Sequence, residues 1–456
     1  MEENDRTYVL FIVMEFIPLN LAGVYRPLRF INGLKAHGIE PVVITFCVDE
    51  NLKKVQKKID YNLNDQLNPD ITIIRVPISD ITKLYSTKWK AFINIYFNPT
   101  DNFLKAWKRE FYKLIPGIIA KYKPKAIITT CPPFSSAVLA RDLSKKYKLP
   151  LILDMRDSWS KLSMQPNGSW FHFLHKRSVE RSCFKQASAI ITVTPQLKDI
   201  FQKTHPKIKS EKFRLVYNAF NFEPNNSDFL TAPSINKSDA INIGYSGSYY
   251  YDPESRKNLF QSRWKRKWHR ILQYFPVKED WLYRSPFFFF KSLHQLFLTH
   301  PSWEKKIFFH HIGEIPKWMP GMVDKFKLQN NVKFHGFLPF QKTRELENTF
   351  QYLLTTSEKV IGDHHYCLPS KLFNYINSEK PVLAFVTPGI QKDFVSQSGI
   401  GVHFDPDDQE HSTKELENII LNGMMTKVNY QYLQNFTEKN TSDQFVAIIK
   451  EVLLHS

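Results

Sequence analysis

Closely spaced cysteines and long apolar segments are both absent from this sequence of 456 residues. The cysteines, Cys47, Cys131, Cys183 and Cys367, are too scattered for a disulfide framework or a Cys-x-x-Cys zinc site. The apolar segment near the start breaks at Glu15, and no uncharged apolar run reaches the roughly eighteen residues that span a bilayer. That segment also lacks the basic region of a signal peptide. We therefore expect a cytoplasmic protein, either free or held peripherally on the inner face of the membrane.

Acidic residues are scarce as well, since 44 Asp and Glu stand against 62 Lys and Arg, a formal net charge of +18. Such an excess favours anionic partners, which include phosphate ligands, acidic lipids and nucleic acids. The charge alone does not distinguish among them. The chain is long enough for two or three domains that each bury a core, and its hydrophobic content of 43% is that of an ordinary globular protein.

The first half of the chain contains short runs that are apolar throughout instead of alternating. Such runs are typical of strands covered on both faces, hence of a parallel sheet flanked by helices. The predicted strands are 8–16, 41–46, 71–77, 125–133, 150–156, 188–195 and 213–219. Amphipathic segments between them predict helices, one of which ends at Gly38.

A polar segment rich in Asn, Ser and Pro, residues 223–240, predicts a linker. The apolar runs that follow it are 241–247, 306–313, 332–338, 352–357, 381–386 and 401–406. The sequence therefore predicts an α/β protein with two Rossmann-like doubly wound domains, residues 1–225 and 240–427. Helices in 428–456 are expected to return to the first domain. Ligands of such folds bind beyond the carboxyl ends of the strands, so the residues that follow the strands are the functional candidates.

In the first half, candidate residues follow the first and fifth predicted strands. Gly23 lies before a helix, where a glycine lets backbone N–H groups approach a phosphate, although it also fits an ordinary loop. A single glycine is not a GxGxxG motif, which disfavours a dehydrogenase. Asp154, Arg156 and Asp157 crowd the end of a buried strand. They either face a ligand or form a structural Arg–Asp pair, and spacing alone does not decide between the two.

In the second half, the candidates are a small polar loop and a helix start. The loop residues are Ser246, Gly247 and Ser248. Their small size either leaves the backbone open to a phosphate or substrate, or makes a simple turn. Ser370 begins a predicted helix with Lys371 in its first turn, where a cation opposes the helix dipole unless an anion such as a diphosphate binds between them. The adjacent His364 and His365 point apart, so no metal site is predicted.

The sequence resembles the bacterial family 4 glycosyltransferases of GT-B fold in DMRDSW, VYNAF, GYSGSYY, VKFHGFLP and above all PSKLFNYINSEKPVLAFV. The resemblance covers almost the whole chain in the right order. It implies two Rossmann-like domains that face a cleft, with a nucleotide-sugar donor on the C-terminal domain and a glycan or lipid-linked acceptor on the N-terminal domain. It also implies hexosyl transfer with retention, no cofactor and no obligatory metal, in cell-surface polysaccharide biosynthesis.

The resemblance further implies roles for individual residues. Lys371 matches the family's phosphate-binding lysine, which would stabilise the leaving diphosphate. Gly23 falls in the N-terminal glycine loop, and Arg156 with Asp157 falls where many members place a donor-contacting histidine or its neighbour. The candidate catalytic residues are thus Arg156, Asp157 and Lys371. The candidate donor-binding residues are Gly23, Ser246, Gly247, Ser248, Arg284, Ser370, Lys371 and Asn374.

The sequence departs from the family at several positions. Asn374 stands where most members have a glutamate that contacts the donor, and an amide can hydrogen-bond a hydroxyl but carries no charge. Tyr366 lies at the spacing of the partner glutamate, for which Glu358 is only a rough substitute. These departures admit a weakened member that binds without turnover. A second phosphate cation normally follows the GYSG-type strand closely, and here Arg284, beyond a long insertion, is the candidate.

That insertion, residues 251–284, alternates basic and aromatic side chains. Those singled out are Arg263, Trp264, Lys265, Arg266, Lys267, Trp268, Arg270 and Phe275. Basic residues bind anionic bilayers and Trp prefers the interface, so the insertion predicts contact with an anionic membrane surface. A solvated excursion packed on its own domain fits the same composition. So does a nucleic-acid-binding surface, which no recognised motif supports.

Four consecutive phenylalanines, 287–290, follow the insertion. They belong to a predicted helix with Ser285 as its N-cap. Phe289, Leu293 and Phe297 recur in it at helical spacing. This spacing predicts that the phenylalanines cover the second sheet and do not enter a membrane.

Overall fold

The computed structural model describes residues 6–455 except 55, 57, 162–166, 222–227 and 268–269. The chain divides into two compact units. The first comprises the described residues of Met1–Ala219, Lys267–Pro276 and Glu438–Ser456. The second comprises those of Phe220–Arg266 and Val277–Thr437. No helix among the described residues combines the length and the apolar character needed to cross a bilayer.

A sheet of seven parallel strands, in the order β3-β2-β1-β4-β5-β6-β7, forms the centre of the first unit. The strands are β1 Thr7–Ile12, β2 Ile39–Phe46, β3 Thr72–Val76, β4 Ala126–Cys131, β5 Leu151–Met155, β6 Ala189–Thr192 and β7 Phe213–Leu215. Each lies within or overlaps one of the predicted runs. Strands β4, β5 and β6 bury every residue, because helices cover both faces of a parallel sheet.

The helices between these strands are α1 Tyr25–Ala36, α2 Glu50–Lys53, α3 Lys88–Tyr96, α4 Phe103–Tyr122, α5 Ser135–Tyr147, α6 Trp170–Gln186 and α7 Pro195–Thr204. Helix α7 shows why a helix begins where it does: Thr194 accepts a hydrogen bond from the N–H of Leu197, and Pro195 occupies the first turn. Helix α5 is capped from outside, since Asp101 accepts from both the N–H and the hydroxyl of Ser135.

A second parallel sheet, in the order β12-β11-β9-β13-β15-β16, forms the centre of the second unit. The strands of this unit are β8 Phe229–Ala232, β9 Ile241–Ser246, β10 Glu279–Asp280, β11 Ile307–Ile312, β12 Val332–Gly336, β13 Tyr352–Thr356, β14 Lys359–Val360, β15 Val382–Phe385, β16 Gly401–Phe404 and β17 Met424–Lys427. Two antiparallel pairs, β10–β14 and β8–β17, lie outside the parallel sheet. Both parallel sheets confirm the predicted α/β class with Rossmann-like units.

The helices of the second unit are α8 Pro253–Phe260, α9 Phe287–Thr299, α10 Met319–Lys325, α11 Phe340–Glu347, α12 Lys371–Asn377, α13 Ile390–Ser398, α14 Gln409–Asn422 and α15 Tyr430–Leu433. Helix α9 carries the four consecutive phenylalanines. Its Phe289 is fully buried, with its ring centroid 5.6 Å from that of Phe309 on β11 and 5.7 Å from that of Phe385 on β15. The prediction of a core helix is confirmed. The predicted N-cap was wrong by one residue, since Pro286 holds that position, although the Ser285 hydroxyl accepts from the N–H of Phe287.

Two segments differ from the sequence prediction. The predicted linker 223–240 contains strand β8, because Phe229–Ala232 pairs with Met424–Lys427; its residues 223–227 lie outside the described part. The predicted insertion 251–284 is divided, and its part Lys267–Pro276 belongs to the first unit. Tyr274 exchanges backbone hydrogen bonds of 3.0 Å with Asn167 in both directions, which attaches this segment there. Trp268 lies outside the described residues.

The last helix, α16 Glu438–Leu454, is part of the first unit, whereas the preceding residues to Thr437 belong to the second. Phe445 of α16 stacks on Phe30 of α1, with ring centroids 3.9 Å apart. A Cβ at Gly33 would lie 1.9 Å from the hydroxyl oxygen of Ser442, so any larger residue there would have to displace the Ser442 side chain.

Candidate functional site

Lys371, the first residue of α12, lies against the end of β9 in the second unit. Its Nζ is 3.5 Å from the centroid of the Tyr245 ring, a close cation–π contact. Gly247 has φ +125°, and a Cβ there would lie 3.5 Å from the same Nζ. This backbone conformation strongly favours glycine. The structure thus brings together the polar loop and the helix start, which the sequence nominated separately.

The loop that contains Ser246 and Gly247 is held by hydrogen bonds of its backbone. The Gly247 N–H donates to the Ile312 carbonyl at 2.8 Å, and its carbonyl accepts from His311 Nε2 at 3.2 Å. The Ser246 N–H donates to the Tyr375 hydroxyl at 3.2 Å. The expectation that these amides are open to a phosphate is therefore corrected: both are engaged within the protein. What the site offers a ligand is the Lys371 ammonium and the exposed Ser248.

The electrostatics around Lys371 are those of a cation that is only partly compensated by a carboxylate. Burial lowers the pKa of Lys371 well below its ordinary value, the positive charge of Arg284 lowers it further, and Glu347 offsets part of the effect. Burial in turn raises the pKa of Glu347, whose carboxylate interacts with Ser246 and with the Ser378 hydroxyl, the latter at 3.4 Å. An anion that bound here would remove an electrostatic cost that the unliganded protein carries.

Arg284 has a partner of its own. Its Nη1 lies 3.0 Å from Oε2 of Glu358, and the other carboxylate oxygen of Glu358 lies 2.8 Å from Nε2 of His365. Burial raises the pKa of Glu358, but His365 and Arg284 outweigh it and lower that pKa to about 2. Glu358 therefore neutralises Arg284. The sequence did not predict this role, because it offered Glu358 only as a rough substitute for the family's partner glutamate. His365 belongs to this ion-pair group.

The remaining donor-site candidates of the second unit lie on α12. Ser370 directly precedes the helix, although its side chain makes no capping hydrogen bond. Asn374 follows Lys371 by three residues and therefore lies on the same face of the helix, half-buried. Both positions are compatible with the predicted donor contacts, which stay predictions.

Several residues around Lys371 were not predicted from the sequence. Tyr245 and Tyr249 stack with ring centroids 4.2 Å apart, and His311 lies 5.3 Å from the Tyr249 ring. Burial lowers the pKa of His311 to about 4, with Lys371 contributing, so this imidazole is neutral at physiological pH. Tyr375 and Glu347 hold Ser246. The tyrosine-rich segment GYSGSYYY could have predicted the stacked rings from the sequence. Glu347 could not have been predicted, because no recognisable motif surrounds it.

In the first unit, the predicted residues Gly23 and Arg156 are in direct proximity. A Cβ at Gly23 would lie 2.2 Å from Arg156 Nη1, so the missing side chain provides the space for the guanidinium. Arg156 also hydrogen-bonds the carbonyls of Cys131 and Pro132 at the end of β4. Gly23 therefore accommodates an arginine, a role that the sequence did not predict.

Carboxyl groups surround Arg156. Burial raises the pKa of Asp157 and of Glu15, and in both cases the charge of Arg156 lowers it in part. Asp101 contributes a further carboxylate that raises the pKa of Glu15. The Gln56 side chain donates to Glu15 at 2.6 Å. The ends of β1, β4 and β5 thus carry acceptor groups suited to hydroxyl ligands, with one cation among them.

Asp154 does not belong to this group. Arg26 donates to it through Nε and Nη2 at 2.8 to 3.1 Å, and the Thr130 hydroxyl donates at 2.8 Å, all within the core. The structural Arg–Asp pair that the sequence left open is therefore real, but it joins Asp154 to Arg26 and leaves Arg156 and Asp157 at the edge of the sheet. Among the described residues, no group of three or more His, Cys, Asp and Glu side chains is arranged to hold a metal ion.

Comparison with known proteins gives a family match for most of the first unit. Residues 24–219 match the family model described as "Glycosyl transferase 4-like domain". This part of the chain is a glycosyltransferase 4-like domain. The match confirms the family resemblance and the prediction of a glycosyltransferase. Among curated proteins, none matches the sequence significantly.

Solved structures extend the comparison to the whole fold. A glycosyltransferase from Rickettsia africae matches with a TM-score of 0.55 at 15% identity, covering 99% of this chain and 100% of that one. Anabaena Alr3699/HepE, solved with UDP, matches with 0.53 at 13%, covering 98% and 96%. Sucrose-phosphate synthase from Thermosynechococcus elongatus matches with 0.53 at 14%, covering 99% and 97%. At these identities the likeness concerns the fold, which is that of the GT-B glycosyltransferases.

Proposed function

We propose that the protein transfers a hexose from a nucleotide-sugar to a glycan or lipid-linked acceptor, with retention of anomeric configuration, in cell-surface polysaccharide biosynthesis. The observation that carries the proposal is the position of Lys371, whose Nζ is held over the Tyr245 ring near the charge of Arg284 and is only partly compensated by Glu347. A structural lysine would have a carboxylate within ion-pair distance; among the described residues, Lys371 has no such salt bridge. The diphosphate of a nucleotide-sugar supplies the missing charge.

In the proposed reaction, the bond between the anomeric carbon and the diphosphate breaks, and a glycosidic bond forms to an acceptor hydroxyl. The nucleoside diphosphate leaves and the hydroxyl proton is released. Negative charge develops on the departing diphosphate oxygen, where a fixed cation in a desolvated site stabilises it most effectively. Lys371 is suited to this role because its ammonium is held in position against the Tyr245 ring and is shielded from water by burial.

UDP is the nucleotide that we would test first, because the structurally similar Anabaena HepE was solved with UDP. Ser248 and Asn374 would contact the donor from the loop and from α12. Arg284 would act through its field, since its guanidinium is paired with Glu358. The sequence predicted that Arg284 contacts the phosphate directly, and the proposal replaces that contact with an effect at a distance. The pairing with Glu358 explains why a second cation near Lys371 is tolerated.

We infer that the acceptor binds to the first unit, at the ends of β1, β4 and β5. Glu15 and Asp157 provide carboxylates that can accept hydrogen bonds from sugar hydroxyls, and Arg156 provides donors. Charged acceptors are equally compatible with this mixture. The role of Gly23 in this proposal is to leave room for the Arg156 guanidinium.

The experiment is a thermal-shift panel with UDP, GDP, ADP, CMP and their common sugar conjugates on the wild type and Lys371→Ala. A ligand that binds the native state raises its melting temperature by mass action. We expect a shift with one nucleotide family that the variant loses. Retention is then tested by the anomeric configuration of the product, read by NMR. An unchanged shift in Lys371→Ala would remove the basis of the proposal.

The second candidate is a member that binds the donor but turns it over weakly or not at all. Asn374 in place of the usual glutamate favours it, because an amide carries no full charge. Donor binding that Lys371→Ala abolishes, together with neither transfer nor hydrolysis, would identify this case. Restoration of turnover by Asn374→Glu would show that the amide is its cause.

We also infer contact with an anionic membrane surface through the insertion 251–284, at the cytoplasmic face, because a lipid-linked acceptor is presented there. Trp264 of the insertion is 88% exposed and is followed by the exposed Lys265. An exposed indole beside a lysine is typical of the bilayer interface.

A further inference from the structure

Large apolar side chains are exposed on one part of the first unit, in three segments that are distant in sequence. Trp89 of α3 is 69% exposed, Phe171 in the first turn of α6 is 74% exposed, and Leu272 of the segment Lys267–Pro276 is 74% exposed. Ile93 and Phe97 are exposed near Trp89, and Trp170 is exposed beside Phe171. Isolated exposed apolar residues are ordinary, but a contiguous set marks an interaction surface.

Ring contacts show that the three segments are contiguous. On α3 and just beyond it, Trp89, Phe92 and Phe97 form a chain with centroids 5.8 and 5.6 Å apart. The Phe97 ring lies 4.0 Å from that of His172 in the first turn of α6. The third segment packs against α6 beneath the surface, because the ring of the buried Phe173 lies 5.1 Å from that of Tyr274.

The charges on this surface have one sign. Residues 81–100, 167–179 and 267–276 contain no Asp or Glu. Their basic residues are Lys83, Lys88, Lys90, Lys176, Arg177, Lys267 and Arg270. Lys83, Lys88, Lys90 and Lys267 are exposed. Elsewhere the first unit mixes both signs, as in the ion pairs of Lys54 with Asp80 and of Lys35 with Glu40.

We propose that this aromatic-basic face, formed by α3 with Phe97, the start of α6 and the described residues of the segment Lys267–Pro276, docks on an anionic lipid bilayer. Trp and Phe side chains partition into the headgroup region, while lysines beside them are attracted to acidic lipids. Protein–protein interfaces are depleted in lysine, whereas this face carries exposed lysines beside its aromatic residues. The face includes α3 and α6, which the sequence did not single out.

The arrangement on α3 favours a helix that lies in the plane of the interface. Trp89, Ile93 and Phe97 are spaced by four residues and so form one stripe, while Lys88 and Lys90 flank it. The Asn94 side chain, between them, accepts from Lys105 of α4 at 2.6 Å and donates to the carbonyls of Leu84 and Lys90, which fixes the helix. The apolar stripe is thus presented by a rigid element.

This proposal goes beyond the transfer reaction and does not depend on it, since vesicle binding is measured without donor or acceptor. The experiment is flotation of the full chain with vesicles of phosphatidylcholine alone or with one third phosphatidylglycerol. Three variants are compared with the wild type: Trp89→Ala with Phe171→Ala, Lys88→Gln with Lys90→Gln, and the control Lys145→Gln with Lys146→Gln. The control removes two exposed lysines from the last turn of α5 in the same unit.

We expect binding to the anionic vesicles only. The lysine pair should weaken partitioning by roughly 25-fold, since each basic residue near an acidic surface contributes roughly fivefold. The aromatic pair should weaken it by at least tenfold, and the control by less than threefold. These factors are order-of-magnitude expectations from interfacial partitioning.

Three results would overturn the proposal. Failure of the wild type to float with anionic vesicles is the first. Equal losses in the control and in Lys88→Gln with Lys90→Gln would attribute binding to net charge alone. A dimer in sedimentation velocity that Trp89→Ala with Phe171→Ala dissociates, or binding of a single-stranded oligonucleotide that these variants abolish without any effect on flotation, would assign the face to another partner. Circular dichroism of each variant shows that a loss is not unfolding.

Discussion

The two units have the same kind of sheet but opposite electrostatics where their strands end. In the second unit, Lys371 lies at the end of β9 near the charge of Arg284. Glu358 pairs with Arg284, and Lys371 makes no salt bridge within the described part of the chain. In the first unit, Arg156 lies near Glu15 and Asp157, and Asp101 lies near Glu15; burial is the main cause that raises the pKa of all three carboxyl groups.

This difference shows that the shared architecture specifies a position for ligands and leaves their chemistry to a few side chains. An excess of cation suits a diphosphate. An excess of carboxylate, with one arginine, suits a ligand rich in hydroxyl groups. Each prediction below changes one side chain in one unit. It tests whether the substitution alters only the property that we assign to that unit.

The largest effect on stability is expected from Arg26→Leu in the first unit. It would leave Asp154 buried and unpaired in the core, which costs about 3–5 kcal/mol of unfolding free energy. Arg156→Leu is the matched control, because that side chain is half-buried and its hydrogen bonds to described residues go to backbone carbonyls. We expect it to cost less than about 1 kcal/mol. Urea denaturation measures both, and similar losses would contradict the division into a structural and a functional arginine.

Lys371→Met should weaken nucleoside diphosphate binding at least 100-fold, about 2.7 kcal/mol, while leaving the first unit unaffected. The reason is the loss of a desolvated charge-assisted contact. The control is Lys333→Met, which also removes a lysine over an aromatic ring, with Nζ 4.3 Å from the Phe308 centroid. Isothermal titration calorimetry measures both. Binding by wild type should take up protons at alkaline pH, because the ligand raises the lowered pKa of Lys371.

Gly23→Ala should reduce turnover about tenfold without unfolding the protein. Its Cβ would collide with the Arg156 guanidinium, a mobile group that can move aside at little cost but would then be misplaced. Gly117→Ala is the control, since a Cβ there meets nothing within 4 Å. Steady-state kinetics separate the outcomes: we expect a lower kcat for Gly23→Ala and normal donor binding. A loss of donor affinity would instead assign Gly23 to the donor.

The pH dependence of stability should distinguish the two units. A lysine with a lowered pKa binds fewer protons in the folded than in the unfolded state between its folded pKa and its ordinary value. Stability relative to Lys371→Met should therefore rise with pH in that window and be constant below it. Thermal denaturation of both proteins between pH 7 and 10.5 measures this, and parallel curves would contradict the burial of the charge.

Asp157→Asn should have the smallest effect, a gain of roughly 0.5 kcal/mol at neutral pH. A carboxyl group with a raised pKa costs stability as pH rises above its ordinary value, and the amide removes that cost. The advantage of the variant should therefore disappear as the pH falls through the ordinary pKa of aspartate. Urea denaturation at two pH values tests it. A loss of stability at neutral pH would instead indicate that Arg156 needs this carboxylate.

Local patterns were sufficient for much of the fold. Uniformly apolar runs predicted every strand of both parallel sheets, because a strand covered on both faces has no polar face to show. The α9 phenylalanines were assigned to the core by their helical spacing. The strand β8 was missed because its pairing with β17 joins residues that are about 190 positions apart, and no short-range pattern reports such pairing.

The sequence by itself therefore determined the two α/β units, the residues that follow their strands and the choice of Lys371, since apolar period and helix-start chemistry act within a few residues. Only the tertiary structure decided which of these residues meet. It placed the Lys371 ammonium over the Tyr245 ring and paired Arg284 with Glu358. It placed the Arg156 guanidinium in the space at Gly23. It also brought α3, α6 and the described part of Lys267–Pro276 together. The physical reason is that charge, desolvation and exposure depend on neighbours supplied by the order of the strands.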